Sequence, residues 1–210
     1  MVLTTDRNPV FSIGHSNHPI GHFISLLQRH GIERLADVRS TPFSRFNPQF
    51  NRARLEESLR GHGIRYEFLG TELGARSTDP GCYEHGRVSY ARLAASPTFK
   101  RGLDALRAGS DQGRVAIMCA EREPLDCHRT ILVARELERA RVPVFHILAD
   151  GALEENGHAL QRLVERLSLR ADDLFRDSAE LFDAAYDAQG AKIAYVPKNA
   201  TAPGTRSPRK

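Results

Sequence analysis

Arg114-Val115-Ala116-Ile117-Met118-Cys119 is an apolar run behind a single arginine, and it leads through Ala120-Glu121 and a proline-containing loop into Cys127-His128-Arg129-Thr130. A run this short and this uniformly apolar reads as a strand buried on both faces rather than one with a wet side. Beyond the loop, Ile131, Leu132, Ala134, Arg135, Leu137 and Glu138 recur at helical spacing, which predicts an amphipathic helix over His128 to Arg139. Strand, loop and helix in that order form the repeating unit of a parallel sheet.

The same alternation continues on both sides. Val10-Phe11-Ser12-Ile13-Gly14 is a second short apolar run, followed by a helix through Ile20, Phe23, Ile24, Leu26 and Leu27 that Gly31 stops. Leu35-Ala36-Asp37-Val38 follows at once, so these two strands are expected to pair in parallel through a right-handed crossover. Ser40 to Asn51 reads as a loop with aromatic anchors, Arg52 to His62 as a helix, and Tyr66-Glu67-Phe68-Leu69 as a third strand. Gly70 to Tyr90, with four glycines and Pro80, is long for a simple connection and reads as functional or mobile. Helices over about Thr98 to Ala108 and Ala159 to Leu167, and a strand at Pro143-Val144-Phe145-His146-Ile147-Leu148, complete the pattern. The expected fold is α/β: a single three-layer domain over residues 1–170, with a mostly parallel sheet of four or five strands and helices on both faces. Residues 171–190 read as an acidic, helix-compatible extension and 191–210 as a basic, disordered tail.

Composition narrows the class. The chain has 210 residues, 40% hydrophobic and 27% charged, which excludes a fibrous or wholly disordered polymer. No apolar run approaches the roughly 18 residues of a membrane span, so no membrane partner is expected. Met1 to Arg7 holds no apolar stretch behind a basic start, and three cysteines make no disulfide framework; a reducing, cytoplasmic setting is the expectation. The net charge of +4 is local. Five of the thirty basic residues lie between Lys192 and Lys210, where there is no acid, leaving twenty-five against twenty-six acids elsewhere. A second basic stretch, from Arg39 to Arg65, carries six arginines against Glu56 and Glu57.

Ligands of open parallel sheets bind beyond the carboxyl ends of the strands, and polar residues gather there. Gly14-His15-Ser16 follow the first strand, Asp37 and Arg39 close the second, Cys119 and Glu121 follow the central one, and Asp150-Gly151 the last. Cys127 at a helix start beside His128 and Arg129 is a candidate nucleophile, with Cys119 a second. Asp37 suits orienting a histidine or arginine, and His15, His128 or Glu121 suit proton transfer. Gly14, Ser16, Arg39, Arg45, Arg129 and Asp150 are the candidate ligand-binding set, with the guanidiniums as bidentate anion donors. Structural readings stand beside these: Cys119 as a small buried hydrophobe, and Asp37 and Arg39 as partners of each other. Cys-x7-Cys-His is not a standard zinc spacing, so no metal is expected. Phe43, Phe46, Phe50 and Tyr66, interleaved with arginines, suit either base stacking or anchoring of the loop.

Together, Ser12-Ile13-Gly14-His15-Ser16, Asp37-Val38-Arg39 with Pro42 and Ser44-Arg45, Tyr66 with Leu69-Gly70 and Leu73-Gly74, Cys119-x-Glu121-x5-Cys127-His128-Arg129, and His146-Ile147 with Asp150-Gly151 resemble the bacterial family named domain of unknown function 488, over roughly residues 10 to 152. The resemblance implies a compact α/β fold and no established reaction. The Asp-Val-Arg and strand–Cys-loop–helix elements are also similar to rhodanese-like domains, although the loop after Cys119 is longer than a compact anion cradle. The expected function is an enzyme acting on a small anionic, phosphate-bearing or nucleotide-like substrate. The alternatives are a nucleic-acid-binding or -processing protein using Arg39 to Arg65 and the basic tail, and a ligand-sensing domain without turnover. Neither the residues nor the resemblance names a cofactor.

Overall fold

The structure is a computed structural model that describes residues 8–169 and 178–197. Most of the expected tail and part of the acidic extension lie outside these residues. In chain order the elements are β1 (Val10–Gly14), α1 (Ile20–Arg29), β2 (Arg34–Asp37), α2 (Arg52–Arg60), β3 (Arg65–Phe68), α3 (Gly70–Leu73), β4 (Tyr83–Glu84), β5 (Arg87–Val88), α4 (Tyr90–Ala95), α5 (Pro97–Gln112), β6 (Val115–Cys119), a π-helical turn (Arg129–Ala134) running into α6 (Arg135–Arg139), β7 (Val144–Ile147), β8 (Leu153–Glu155), α7 (Asn156–Arg166) and α8 (Ser178–Ile193). Among the described residues no helix is long and apolar enough to cross a membrane.

The main sheet has six strands in the order β3-β2-β6-β1-β7-β8, all parallel except β8. The pleat sends alternate residues of each strand to opposite faces. Val10, Val115 and Ile117 enter one core with Phe99 and Leu106 of α5 and with Leu132, Val133 and Leu137 behind β6. Phe11, Ile13, Ala116 and Met118 enter the other with Phe23 and Leu27 of α1 and Leu55 and Leu59 of α2. Phe23, Leu27, Leu55 and Leu59 are fully buried, and each stabilises the fold by about 2 kcal/mol. The result is the expected three-layer α/β domain.

Three features differ from the sequence reading. β1 and β2 do not pair with each other: β6 inserts between them and pairs with both. Propensity marks strands but not their order, and β6 arrives nearly eighty residues later. β8 was not expected, because three mostly exposed residues, Leu153-Glu154-Glu155, carry no apolar pattern. The 70–90 segment is ordered as α3 and the β4–β5 hairpin. The acidic extension, helix-compatible in sequence, is helical from Ser178 as α8, whose Asp183 and Asp187 sit one turn apart and both pair with Arg135 at 2.6 Å. Ala185 and Tyr186 of α8 pack on Leu125, Ile131 and Leu160.

A polar pin crosses this core. His146 on β7 stands opposite Ser12 on β1 and is fully buried. Asn156 donates through Nδ2 to Glu138 Oε2 and to Tyr186 Oη, so its Oδ1 accepts from His146 Nε2–H at 3.0 Å. That fixes the tautomer, and His146 Nδ1 accepts from Ser12 Oγ at 2.7 Å. The neutral ring is fully satisfied, whereas a second proton would break the serine bond. Burial, then the Arg129 charge, pushes its pKa down to about 4 from 6.5. Below pH 6.5 the unfolded chain therefore binds a proton that the folded chain refuses. Stability conferred by the neutral ring is complete above pH 6.5 and falls by about 3 kcal/mol as pH drops toward 4. Denaturant melts at successive pH values should show this slope in the wild type, and it should become shallower, by the share due to this ring, in His146→Gln.

Candidate functional site

β1 is followed by a helix on one face of the sheet and β6 by a helix on the other, although the two strands are neighbours. Adjacent strands whose chains leave in opposite directions open a crevice at their carboxyl ends. There lies a cleft of about 650 Å³. The ladder extends to its rim: His15 N–H donates to Cys119 O, Ser16 N–H to Ala120 O, and Val38 N–H to Met118 O. Gly14 is needed for closure of the rim, since a Cβ there would stand 1.9 Å from the backbone oxygen of Glu121.

The floor of the cleft is a cluster of Cys119, Glu121, Cys127 and His128. The loop from β6 turns back through a short 3₁₀ turn, Pro124–Asp126, and delivers Cys127 to the start of the π-helical turn. His128 Nε2–H donates to Val38 O at 3.0 Å, which leaves the Nδ1 lone pair facing Cys119 Sγ at 3.6 Å and Cys127 Sγ at 3.8 Å. Cys127 Sγ lies 2.9 Å from Glu121 Oε2 and accepts from Arg129 N–H at 3.4 Å. Burial alone would raise the Cys127 thiol, but the Cys119 thiol, the Arg129 charge and His128 outweigh it and hold it well below the usual thiol range. Cys119 is held high by its bond to Cys127 and by burial, and Glu121 is raised by burial and then by the Cys127 charge. His128 is raised because its interactions with Cys127 overcome desolvation. Within the cluster, ionisation of Cys127 is therefore favoured over that of Cys119.

One wall is a second buried network. Asp37, fully buried, receives Arg39 Nε at 2.9 Å, Arg39 Nη2 at 2.6 Å, Arg39 N–H at 3.1 Å and the Tyr66 hydroxyl at 2.8 Å. Arg39 Nη2 also donates to Phe50 O, and Nη1 to His15 Nε2 at 3.2 Å. His15 Nδ1–H donates to Ser16 O, its ring stacks on Phe50 at 4.3 Å, and burial followed by the Arg39 charge pushes its pKa down to about 4. At neutral pH His15 is a neutral acceptor for Arg39.

The candidates therefore separate. His15, Ser16, Arg39, Cys119, Glu121, Cys127 and His128 line one cleft. Asp37 lies behind Arg39 and outside the lining, and Gly14 serves the approach of the Glu121 backbone. Arg129 is not an exposed anion donor: 1% exposed, it gives Nη1 to Glu121 O and Nη2 to Arg122 O, and its Nε has no partner. The helix start is likewise occupied, since the N–H groups of Arg129, Thr130 and Ile131 all turn to Cys127. Arg45 is exposed and stacks 5.0 Å over Phe46, and Asp150 Oδ1 caps Ala152 N–H; neither lines the cleft. Sequence reasoning missed Arg76, Tyr90 and Tyr195, which line the opposite wall. They come from the glycine-rich segment, the start of α4 and the stretch after α8, and no motif marks them.

No curated protein and no solved structure matches this chain. The family model described as "Domain of unknown function DUF488" matches residues 19–135, which is more than half of the chain, beginning after Ser16 and ending before β7. The match takes in the Asp-Val-Arg element of the wall and the whole Cys119-to-Arg129 floor. On that extent, the chain belongs to the DUF488 family.

Proposed function

We propose that the protein is an enzyme acting on a small anionic, nucleotide-like substrate, with Cys119, Glu121, Cys127 and His128 as its reacting centre. The observation that carries this reading is the convergence of two sulfurs, an imidazole and a carboxylate on the floor of one open cleft. Glu121, 2.9 Å from Cys127 Sγ and with its carboxyl pKa raised by burial, is the group placed to exchange a proton with a bound ligand. The walls suit a planar, anionic molecule. Arg76 is exposed, forms no ion pair among the described residues and stacks 4.7 Å over Tyr195. Phe43, 66% exposed, offers a free ring face at the same cleft, with the hydroxyls of Ser40 and Thr41 beside it.

A nucleic-acid reading has its own observation: Arg45, Arg52, Arg54, Arg60 and Arg65 are all exposed, and Phe46 stands 81% exposed beside Arg45. One experiment separates the readings. The full chain is melted with inorganic phosphate, nucleoside mono- and diphosphates and a single-stranded oligonucleotide, and each ligand that raises Tm is assayed for turnover. A nucleoside phosphate should stabilise the chain. Arg76→Ala should weaken it about 10-fold, and Glu121→Gln should lower turnover about 100-fold while binding persists. Binding without turnover would replace the enzyme by a ligand-sensing domain. Oligonucleotide affinity that falls about 100-fold between 50 and 200 mM salt, as five phosphate contacts on a single strand demand, would replace it by a nucleic-acid binder. No binding at all would end both.

A further inference from the structure

We propose that Cys119, Cys127 and His128 form a binding site for one soft divalent cation, with Zn(II) as its probe, and that this cation is the cofactor of the reaction centre above. The inference rests on that reading for its catalytic part; the metal site itself rests on geometry alone.

Cys119 Sγ, Cys127 Sγ and His128 Nδ1 all lie within 4.8 Å of one another. The two imidazole–sulfur distances are 3.6 and 3.8 Å. A tetrahedral zinc with bonds of about 2.3 Å to sulfur and 2.0–2.1 Å to nitrogen has nitrogen–sulfur edges of about 3.6 Å and a sulfur–sulfur edge of about 3.8 Å. The two nitrogen–sulfur edges are thus already close to those of the polyhedron, and the two sulfurs lie within 4.8 Å of each other. Their chemistry agrees, since two sulfurs and an imidazole select soft or borderline cations over calcium or magnesium. The surroundings also agree. A ligating histidine normally anchors its second ring nitrogen on a carbonyl or carboxylate, and His128 Nε2–H is held by Val38 O at 3.0 Å. Cys127 Sγ receives the Arg129 N–H, which stabilises a ligating thiolate without competing for the metal. All three residues are less than a tenth exposed, yet all three line the cleft, so the site is dry and still has an entry path.

Three protein ligands, rather than four, are the pattern of a catalytic rather than a structural site, because the remaining vertex takes water or substrate. Glu121 lines the same cleft with Oε2 2.9 Å from Cys127 Sγ. The cation would be held by both sulfurs as thiolates, any thiol proton leaving to solvent, and Glu121 is the carboxyl group at the cluster that would take a proton from a water activated there. The Cys-x7-Cys-His spacing hid this arrangement because the ligands come from a strand end and a helix start, joined by the 3₁₀ turn rather than by a knuckle.

The test uses the full chain freed of metal by chelator, then loaded with Zn(II) or Co(II) and desalted. One metal per chain should be retained, and the Co(II) form should show a sulfur-to-metal charge-transfer band with intense tetrahedral d–d absorption. Cys119→Ser, Cys127→Ser and His128→Gln should each reduce retained metal at least 10-fold. Cys82→Ser, buried but remote from the cluster, should retain it fully. Glu121→Gln should keep the metal and its spectrum while losing turnover. Where a ligand variant fails to fold, displacement of the wild-type Co(II) spectrum by Zn(II) at one equivalent still decides. A wild-type chain that retains no metal, or whose bound Co(II) shows no sulfur charge transfer, overturns the site. Turnover that persists in the metal-free chain overturns the cofactor role and leaves the enzyme reading standing. Metal bound as described without any turnover does the reverse.

Discussion

Asp37→Asn should destabilise the protein by about 3–5 kcal/mol, the cost expected when one partner of a buried ion pair is removed and the other charge stays behind. For a chain of this length that corresponds to a fall in Tm of roughly 10 °C or more. Arg39 is 5% exposed, and both of its Asp37 contacts lie in a site closed by Phe50 and Tyr66. Burial opposes its charge, but the Asp37 carboxylate outweighs the desolvation and raises the Arg39 pKa. An asparagine keeps the shape and loses the charge, so the guanidinium must either stay unpaired or swing into the cleft and give up His15. The double variant Asp37→Leu, Arg39→Met removes both charges and should recover most of the loss. Denaturant melts of the three proteins decide the matter. A single-variant cost below about 1 kcal/mol would mean that the pair is solvated and does not hold the wall.

This pair shows what the sequence displays and what it hides. Residues 37 and 39 alternate onto the same side of an extended chain, so their pairing was readable as one of two options. Nothing in the residue order indicated that Asp37 would take the Nε and Nη2 edge of the guanidinium and leave Nη1 to His15 at the cleft wall. The apolar runs of β1, β6 and β7 were legible because burial on both faces leaves few polar positions to obscure them, Ser12 and His146 being the paired exceptions. Strand order was not, since it depends on loop closures between distant segments. The floor cluster was legible in part: Cys119 to His128 is a local strand–loop–helix turn, so its members meet whatever the rest of the chain does. The far wall draws on Arg76, Tyr90 and Tyr195, which are brought together by α8 folding back, as when Val88 N–H donates to Tyr195 O. Contacts of that kind are made by backbone groups that every residue carries.

Arg129 carries the same lesson into the floor of the site, and Arg129→Met should cost about 3 kcal/mol while displacing Glu121. The charge has no acidic partner at bonding distance among the described residues; its bonds go to the carbonyls of Glu121 at 2.7 Å and Arg122 at 3.2 Å. Methionine fills the volume but leaves two carbonyls without donors, and each unsatisfied buried group costs about 1–3 kcal/mol. Relief from burying a cation offsets part of this, which sets the net figure. Lysine should not rescue, because one ammonium cannot reproduce a planar fork across two successive carbonyls. The consequence for the site follows from the backbone. The Glu121 carbonyl that Arg129 holds is the atom crowded against Gly14, so releasing it loosens the loop that sets Oε2 beside Cys127 Sγ. Arg129 also supplies part of the field that lowers the Cys127 pKa. Arg129→Met should therefore slow alkylation of Cys127 by iodoacetamide in the metal-free chain, measured by mass spectrometry at neutral pH, under conditions where the variant remains folded by circular dichroism. Unchanged alkylation together with a stability loss below about 1 kcal/mol would show that the loop is held by Gly14 and the β6 ladder without help from the buried guanidinium.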